Sequence, residues 1–383
     1  MLNKNSIAFL EQQKNNRKFI AIYCAGQHGV LFSEILKACG LEIDVFLDSN
    51  KSKWGHEIID GIYCVEPYSI VNRDDYFIII CINAVLYQEV YQTVCGMGFR
   101  NVVSFNEILD DIIRNNAPIY FELIKQYQFK PRVELFYTPG ANREIPCNYG
   151  RSYKSEKIAV YTGIFGDYDK ICEPQAFPDN IDYYFISDKK PKNIGVFQWI
   201  DAKKVIPEQI VSPIKKNRFI KMHPHLLFPD YNYSIYIDGN VIVKKDITFF
   251  VKDSISGISA FMHPKRNCIY YEAITVVNFR RVAADDVCEQ MKRYLEQGMP
   301  LHYGMAEMPV IAREHNKSIC IKIMEEWWKE FSNGTQRDQL SFMYVMWKNR
   351  MTLKDIASLG NDAHESDAIK FQKHLSESKL LSK

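Results

Sequence analysis

The chain has little net charge, no closely paired cysteines and no long apolar run, and each shortage removes a class of function. Forty-eight Lys and Arg against 46 Asp and Glu leave a formal charge of +2, which argues against the single-sign surface that wraps nucleic acid. Ten cysteines, Cys24, Cys39, Cys64, Cys81 and Cys95 among them, lie mostly in apolar stretches and none forms a C-x-x-C pair. That pattern speaks against a zinc site or a disulfide framework. The longest apolar run, residues 77–87, is interrupted by Asn83 and falls short of the ~20 residues that span a bilayer. Residues 1–18 are polar and charged, without an apolar signal core. A cytoplasmic, reducing setting is expected, with at most peripheral contact with a membrane. Internal repeats and low-complexity tracts are absent. What the chain does have is length and apolar content: 383 residues, 47% of them hydrophobic, suffice for two cores. Its 23 Tyr and 23 Phe suit sugar-holding sites and ordinary cores alike.

The first half reads as strand, glycine turn, helix, strand. Residues 18–24 and 41–47 are strand-like, 25–29 a turn and 30–39 an apolar-periodic helix. A continuous apolar run at 76–82 suits a strand buried on both faces, and 85–97 the helix after it. This is the alternation of a doubly wound α/β sheet. Residues 106–127 look helical, and the Gly-, Asn- and Pro-rich stretch 138–156 reads as a linker. The expected division is thus a Rossmann-like domain over 1–137, a linker, a second α/β domain over 157–360 and a polar tail over 361–383. In the second domain 157–162, 182–187, 196–200, 233–237, 242–243 and 258–262 read as strands, and 212–227, 272–297 and 336–348 as helices.

One strand ends abruptly in Asp238-Gly239-Asn240. Two oxygen-bearing side chains, two residues apart at the carboxyl edge of a sheet, suit a hard divalent cation such as Mn²⁺ or Mg²⁺, with Gly239 allowing the turn. The same three residues also make an ordinary Asx turn, so the neighbouring segments decide. In order they are A-V-Y-T-G-I-F-G-D-Y-D at 159–169, Y-F-I-S-D at 184–188, K-M-H-P-H-L-L-F-P-D-Y at 221–231 and Y-S-I-Y-I-D-G-N at 233–240. H-P-K-R-N-C-I-Y-Y-E at 263–272, G-M-A-E-M-P-V-I-A-R-E-H-N at 304–316 and R-D-Q-L-S-F at 337–342 complete the set. Together these collinear blocks resemble the TOD/MUCI-type glycosyltransferase-like domain family, over roughly residues 157–345. The resemblance implies a GT-A-like fold, a nucleoside diphosphate sugar donor, a saccharide acceptor and a divalent metal, with D-G-N standing where related enzymes carry D-x-D. Asn240 removes one negative charge from that motif.

The other blocks supply candidates. Thr162, Gly163 and Phe165 lie in a glycine-containing loop that lets backbone N–H groups approach a nucleotide, and Asp167 or Asp169 is placed to meet its base or ribose. Arg218, Lys221 and His225 are spaced to share one helical face, where they would pair with a diphosphate or simply be solvated. His263 ranks first among the histidines as a third metal ligand, and Arg266 would reach the same sheet edge. Glu272 and Glu307 are candidate carboxylates for an acceptor hydroxyl, or buried acceptors of backbone donors. Arg337 precedes Asp338-Gln339 at a helix start, where Asp338 is also a good cap. The Asp-Gln pair is similar to that of glycogenin-type retaining transferases, which would set Gln339 beside the anomeric carbon and have Asp338 orient hydroxyls. That favours retention of configuration.

In the first half, Cys24-Ala-Gly-Gln-His-Gly29 followed by Asp48 approximates the glycine turn and ribose acid of a dinucleotide fold, with Cys24 where the first glycine belongs. The region resembles the nucleotide-sugar-binding domains that precede sugar acyltransferases and accompany polysaccharide enzymes, with Gly26, His28 and Asp48 as contacts. Three functions are therefore in view: a sugar transferase of surface polysaccharide synthesis, a non-catalytic nucleotide-sugar-binding or assembly module, and a nicotinamide-dependent oxidoreductase.

Overall fold

The computed structural model describes residues 5–82, 84–132, 156–166 and 170–373, so the expected linker falls almost wholly outside the described residues. The chain divides into two compact units, one of Met1–Gly140 with Tyr270–Leu301, the other of Ala141–Ile269 with His302–Lys383. Residues 270–301, expected inside a continuous 157–360 domain, thus group with the first unit.

The first unit runs α1 (Ser6–Asn15), β1 (Phe19–Tyr23), α2 (Gln27–Ala38), β2 (Val45–Leu47), β3 (Glu57–Ile59), β4 (Ile62–Val65), β5 (Tyr76–Ile80), α3 (Ala84–Gly96), β6 (Asn101–Ser104), α4 (Phe105–Asn115) and α5 (Ala117–Tyr127). Its sheet has the order β3-β4-β2-β1-β5-β6, parallel throughout except where β3 meets β4. Ala21, Tyr23, Ile78 and Ile80 alternate along the two central strands and pack with Val94, Met97 and Phe99, the period-2 signature of a sheet face. The helix expected over 106–127 is two, because Pro118 opens α5 and cannot continue α4.

The second unit holds β7 (Ile158–Gly163), β8 (Ile181–Ser187), β9 (Gln198–Asp201), α6 (Ala202–Val205), α7 (Pro213–Met222), α8 (Pro224–Leu227), β10 (Tyr233–Ile237), β11 (Val241–Val243) and β12 (Ile258–Met262). After α9 (Ile269–Asn278) and α10 (Ala284–Glu296), which lie in the first unit save for Ile269, it resumes with β13 (Ala306–Arg313), α11 (Ser318–Asn333), α12 (Phe342–Lys348), β14 (Ala357–Ser358) and β15 (Ile369–Phe371). Seven strands form one sheet, β14-β12-β13-β10-β7-β8-β9, and β11 pairs with β15. Strands β10, β7, β8 and β9 are mutually parallel, so their carboxyl ends share one edge. Ile158 and Val160 face one core and Ala159 and Tyr161 the other.

Four departures from the sequence reading have local causes. The helix expected over 212–227 stops at Met222, because His223 precedes Pro224 and a residue before proline is pushed out of the helical region. The 272–297 helix splits at the turn around Arg280, whose φ is +55°. Strand β13 carries Pro309, which argues against a strand in sequence. The ladder to β12 jumps there from Ile311 to Glu307, a bulge of the kind that tolerates proline. Part of the expected tail is β15, held because Ala368 and Ile369 are buried beside Val241 and Val243.

Candidate active site

Two chain turns meet at the shared carboxyl edge, and glycine makes the approach possible. A Cβ on Gly239 would lie 2.9 Å from Ile164 Cγ1, and one on Gly163 2.4 Å from Ile220 Cδ1 and 2.9 Å from Ile186 O. Side chains at either point would force the loop after β7 away from the Asp238 turn and from α7. Gly163→Ala is expected to destabilise the fold by about 1–3 kcal/mol, read as a lower midpoint in urea; an unchanged midpoint would show that the crowding relaxes freely.

Helix α7 fastens to this edge through consecutive residues. Lys216 Nζ lies 2.6 Å from Asp188 Oδ1 after β8, and Asn217 Nδ2 donates to Gly163 O at 2.9 Å. Arg218 Nε and Lys221 Nζ, one turn apart, both reach Asp338 Oδ2, at 2.9 and 2.8 Å. Lys221 Nζ also lies 3.9 Å from Asp238 Oδ1, which accepts the Tyr236 hydroxyl at 2.9 Å. Tyr236 and Asp238, two apart on β10 and the residues that follow it, project to the same side.

Lys221 is 2% exposed, and its ammonium sits 5.3 Å from the Tyr236 ring centroid and 6.0 Å from that of Trp327, within cation–π range. Its carbonyl accepts from Arg313 Nη1, whose Nη2 donates to the Tyr161 hydroxyl, both at 2.6 Å. Trp327 Nε1 donates to Asp338 O at 3.2 Å. Burial by itself would raise the Asp338 carboxyl, but Arg218, Lys221 and Arg337 hold it far below the usual carboxylate range. Burial lowers the Lys221 ammonium against the opposing pull of Asp338 and Asp238. The Tyr236 phenol is pushed well up, first by burial and then by Asp238, so it remains a neutral donor. Three cations face two carboxylates, an excess of one positive charge. Exposure is graded: the Asp338 side chain is 7% exposed, Arg218 21% and Asp238 32%. Arg218 and Asp238 are the groups a solute can meet.

The expected candidates sort accordingly. Arg218, Lys221, Asp238 and Asp338 come together, with Arg337 acting on Asp338 through its charge and Gly163 joined through Asn217. Thr162 is a buried strand residue whose hydroxyl is enclosed. Phe165 packs with Ile186, Phe219 and Ile220 in the core. His225 is separated from Arg218 and Lys221 by the break at Pro224, and its Nε2 meets Glu325 Oε1 on α11 at 2.9 Å. Gln339 Nε2 donates to Ala306 O at 2.7 Å, Glu307 lies on β13 at the bulge, and Glu272 is buried in α9 with the first unit. Asp167 and Asp169 lie outside the described residues. The sequence motifs give no role to Tyr236, Asn217, Arg313 or Trp327, although Asn217 stands one helical turn from Lys221 and Tyr236 two residues from Asp238.

The three expected metal ligands do not assemble as a set. His263 Nδ1 accepts the backbone N–H groups of Lys265 and Arg266 at 3.2 and 3.0 Å, which places the proton of a neutral ring on Nε2 and leaves no lone pair for a cation. Arg266 is buried in the same turn. Asn240 Nδ2 donates to Gln372 O at 3.2 Å and the Asn240 backbone carbonyl accepts from Gln372 N, tying the turn to β15. Among the described residues no three His, Cys, Asp or Glu side chains gather at metal-binding distance. Asp238 Oδ1 holds the Tyr236 and Lys221 contacts, while Oδ2 has no hydrogen-bond or ion-pair partner among the described residues, so it fits a cation that brings most of its own ligands.

In the first unit, Asp48 is engaged internally. Its oxygens accept from Ala25 N, Asn50 N and Lys53 Nζ at 2.8, 2.8 and 2.7 Å. Cys24, at φ +84°, adopts the left-handed backbone that a glycine would, Gly26 caps α2 without a side chain, and His28 lies in its first turn. A Cβ on Gly29 would lie 2.2 Å from Cys24 O, so this glycine serves the packing of α2 on β1.

No helix among the described residues is long and apolar enough to cross a membrane. No curated protein matches the chain. Among solved structures, the apo form of the bifunctional glycosyltransferase WbbM aligns over 53% of this chain and 39% of its own, at 14% identity and a TM-score of 0.33. The TOD1/MUCI70 glycosyltransferase-like domain matches residues 143–374, more than half of the chain and every residue of the Asp238–Asp338 cluster, and the chain belongs to that family.

Proposed function

We propose that the second unit transfers a sugar from a nucleoside diphosphate donor to a saccharide acceptor, as in surface polysaccharide synthesis. The observation that carries this reading is the excess of cations, Arg218, Lys221 and Arg337, gathered round buried Asp338 beside partly exposed Asp238 at the carboxyl edge, where ligands of α/β sheets bind. Breaking a glycosidic bond to a diphosphate leaves negative charge on the departing oxygen, and fixed positive charge in a site shielded from water stabilises it. Arg218 meets the diphosphate directly. Lys221 contributes from behind, held in place by Asp338, the two aromatic rings and the Arg313 bond to its carbonyl.

A divalent cation, Mn²⁺ or Mg²⁺, carried in by the diphosphate fits at Asp238 Oδ2, where hard ions need only one or two protein carboxylates beside phosphates; bound there it would add to the same charge stabilisation. The likeness of Asp338-Gln339 to the pair of glycogenin-type retaining transferases makes retention of configuration the expected stereochemistry, although here Gln339 Nε2 is bonded to Ala306 O and Asp338 to Arg218 and Lys221. A screen of nucleoside diphosphate sugars for hydrolysis or transfer, with the anomer of the product read by NMR, tests the reading. Turnover of at least one donor supports it. Donor binding without turnover on any acceptor would instead make the protein a binding module.

A further inference from the structure

The same carboxyl edge carries a concentration of charge that the donor site does not use. Residues 188–216 contain seven lysines and three carboxylates, a local +4 in a chain whose total is +2, so the rest of the protein is net negative. Lys189 and Lys190 follow β8, and Lys203 and Lys204 follow β9. Because these strands are parallel, with Ser187 opposite Asp201 at their ends, the two lysine pairs emerge side by side. All four, with Lys192, are exposed, and none of the five is in an ion pair with a described carboxylate. Of the three acidic residues, Asp188 is neutralised by Lys216 at 2.6 Å, and Asp201 Oδ1 caps the next turn by accepting from Lys203 N at 3.1 Å.

Apolar side chains adjoin this patch. Val211 is 77% exposed and Ile214 57%, on either side of the start of α7. The Lys216–Asp188 pair ties that start to the β8 loop, and Pro213 lies 3.3 Å from where a Gly166 Cβ would stand in the loop after β7. Lysines around bare aliphatic side chains match the two layers of an anionic bilayer surface, phosphate groups outside and acyl chains beneath. A soluble polyanion such as an acidic polysaccharide would use the lysines and leave Val211 and Ile214 without a role.

We propose that this edge docks on an anionic phospholipid surface, presenting the donor site to an acceptor held at the membrane. The docking itself does not depend on whether the site turns over; the presentation of the site to an acceptor rests on the transferase reading. The test is co-sedimentation of the full chain with phosphatidylcholine vesicles, with and without phosphatidylglycerol, alongside Lys189→Gln/Lys190→Gln/Lys192→Gln and Val211→Asp/Ile214→Asp variants whose folding is checked by circular dichroism. The wild type is expected to bind only the anionic vesicles, and less tightly as salt is raised. A contribution of about fivefold per lysine near such a surface makes the triple variant weaker by on the order of a hundredfold, and the Asp pair must weaken binding as well. No preference for anionic vesicles would overturn the proposal. So would equal binding by the Val211→Asp/Ile214→Asp variant together with capture of soluble polyphosphate, which would make the patch a polyanion site.

Discussion

Asp338→Asn is expected to cost about 3–5 kcal/mol of stability, the loss typical of removing one partner from a buried ion pair. The argument is one of charge left over. Asp338 is the carboxylate that Arg218 Nε and Lys221 Nζ both reach within 3 Å, and Lys221 is wholly enclosed. An amide of the same shape leaves two cations with only Asp238, 3.9 Å from Lys221. The pH dependence identifies the cause. The folded carboxyl lies far below the usual range, whereas in the unfolded chain it lies near 3.9. Its stabilisation is therefore complete above that value and declines as pH falls below it. The gap between wild type and variant, measured by urea unfolding, should be widest near neutrality and should narrow between about pH 4 and pH 2. A gap below about 1 kcal/mol, the range of a surface pair, would mean that the cluster does not depend on Asp338.

The largest effect on activity is expected at Asp238. Asp238→Ala should lower the turnover of the best donor by about 10²–10³, the range seen when one preorganised electrostatic contact to the reacting groups is removed. The fold should hold, because Asp238 is a third exposed and Tyr236, its donor, still has Asn217 Oδ1 at 3.2 Å. The prediction separates chemistry from folding: a steady-state assay should collapse while the unfolding midpoint barely moves. Undiminished turnover would remove Asp238 from the reaction, and with it the reading of D-G-N as a divergent D-x-D.

What was legible in the sequence was whatever depended on local pattern. The strands ending at Gly163, Ser187 and Ile237 are short β-branched and aromatic runs closed by glycine or polar residues, and they fold as such. Arg218 and Lys221 share a face because three residues is nearly one helical turn. His225 fails the same extrapolation because Pro224 intervenes. Helix α11 carries a readable signal, with Cys320, Ile323, Met324, Trp327 and Phe331 buried at helical spacing, yet the motif-based division of this domain places no helix there. Strand β13 was masked by Pro309, tolerated at a bulge that only the partner strand reveals. Asp338 read as a helix cap or a sugar contact. Its part as counter-ion depends on residues about 120 positions away, which no local spacing encodes. His263 had the chemistry of a ligand but spends its lone pair on the backbone of its own turn.

The most direct test of the central claim, that Arg218 and its neighbours hold the donor's diphosphate, is calorimetric titration of nucleoside diphosphates into the wild type and Arg218→Ala, with Mn²⁺ present. Charge-assisted hydrogen bonds contribute about 1.5–3 kcal/mol, so at least one nucleoside diphosphate should bind the wild type and bind the variant about 10- to 100-fold more weakly. Equal affinity in the two proteins, or no binding of any nucleoside diphosphate to the wild type, would contradict it.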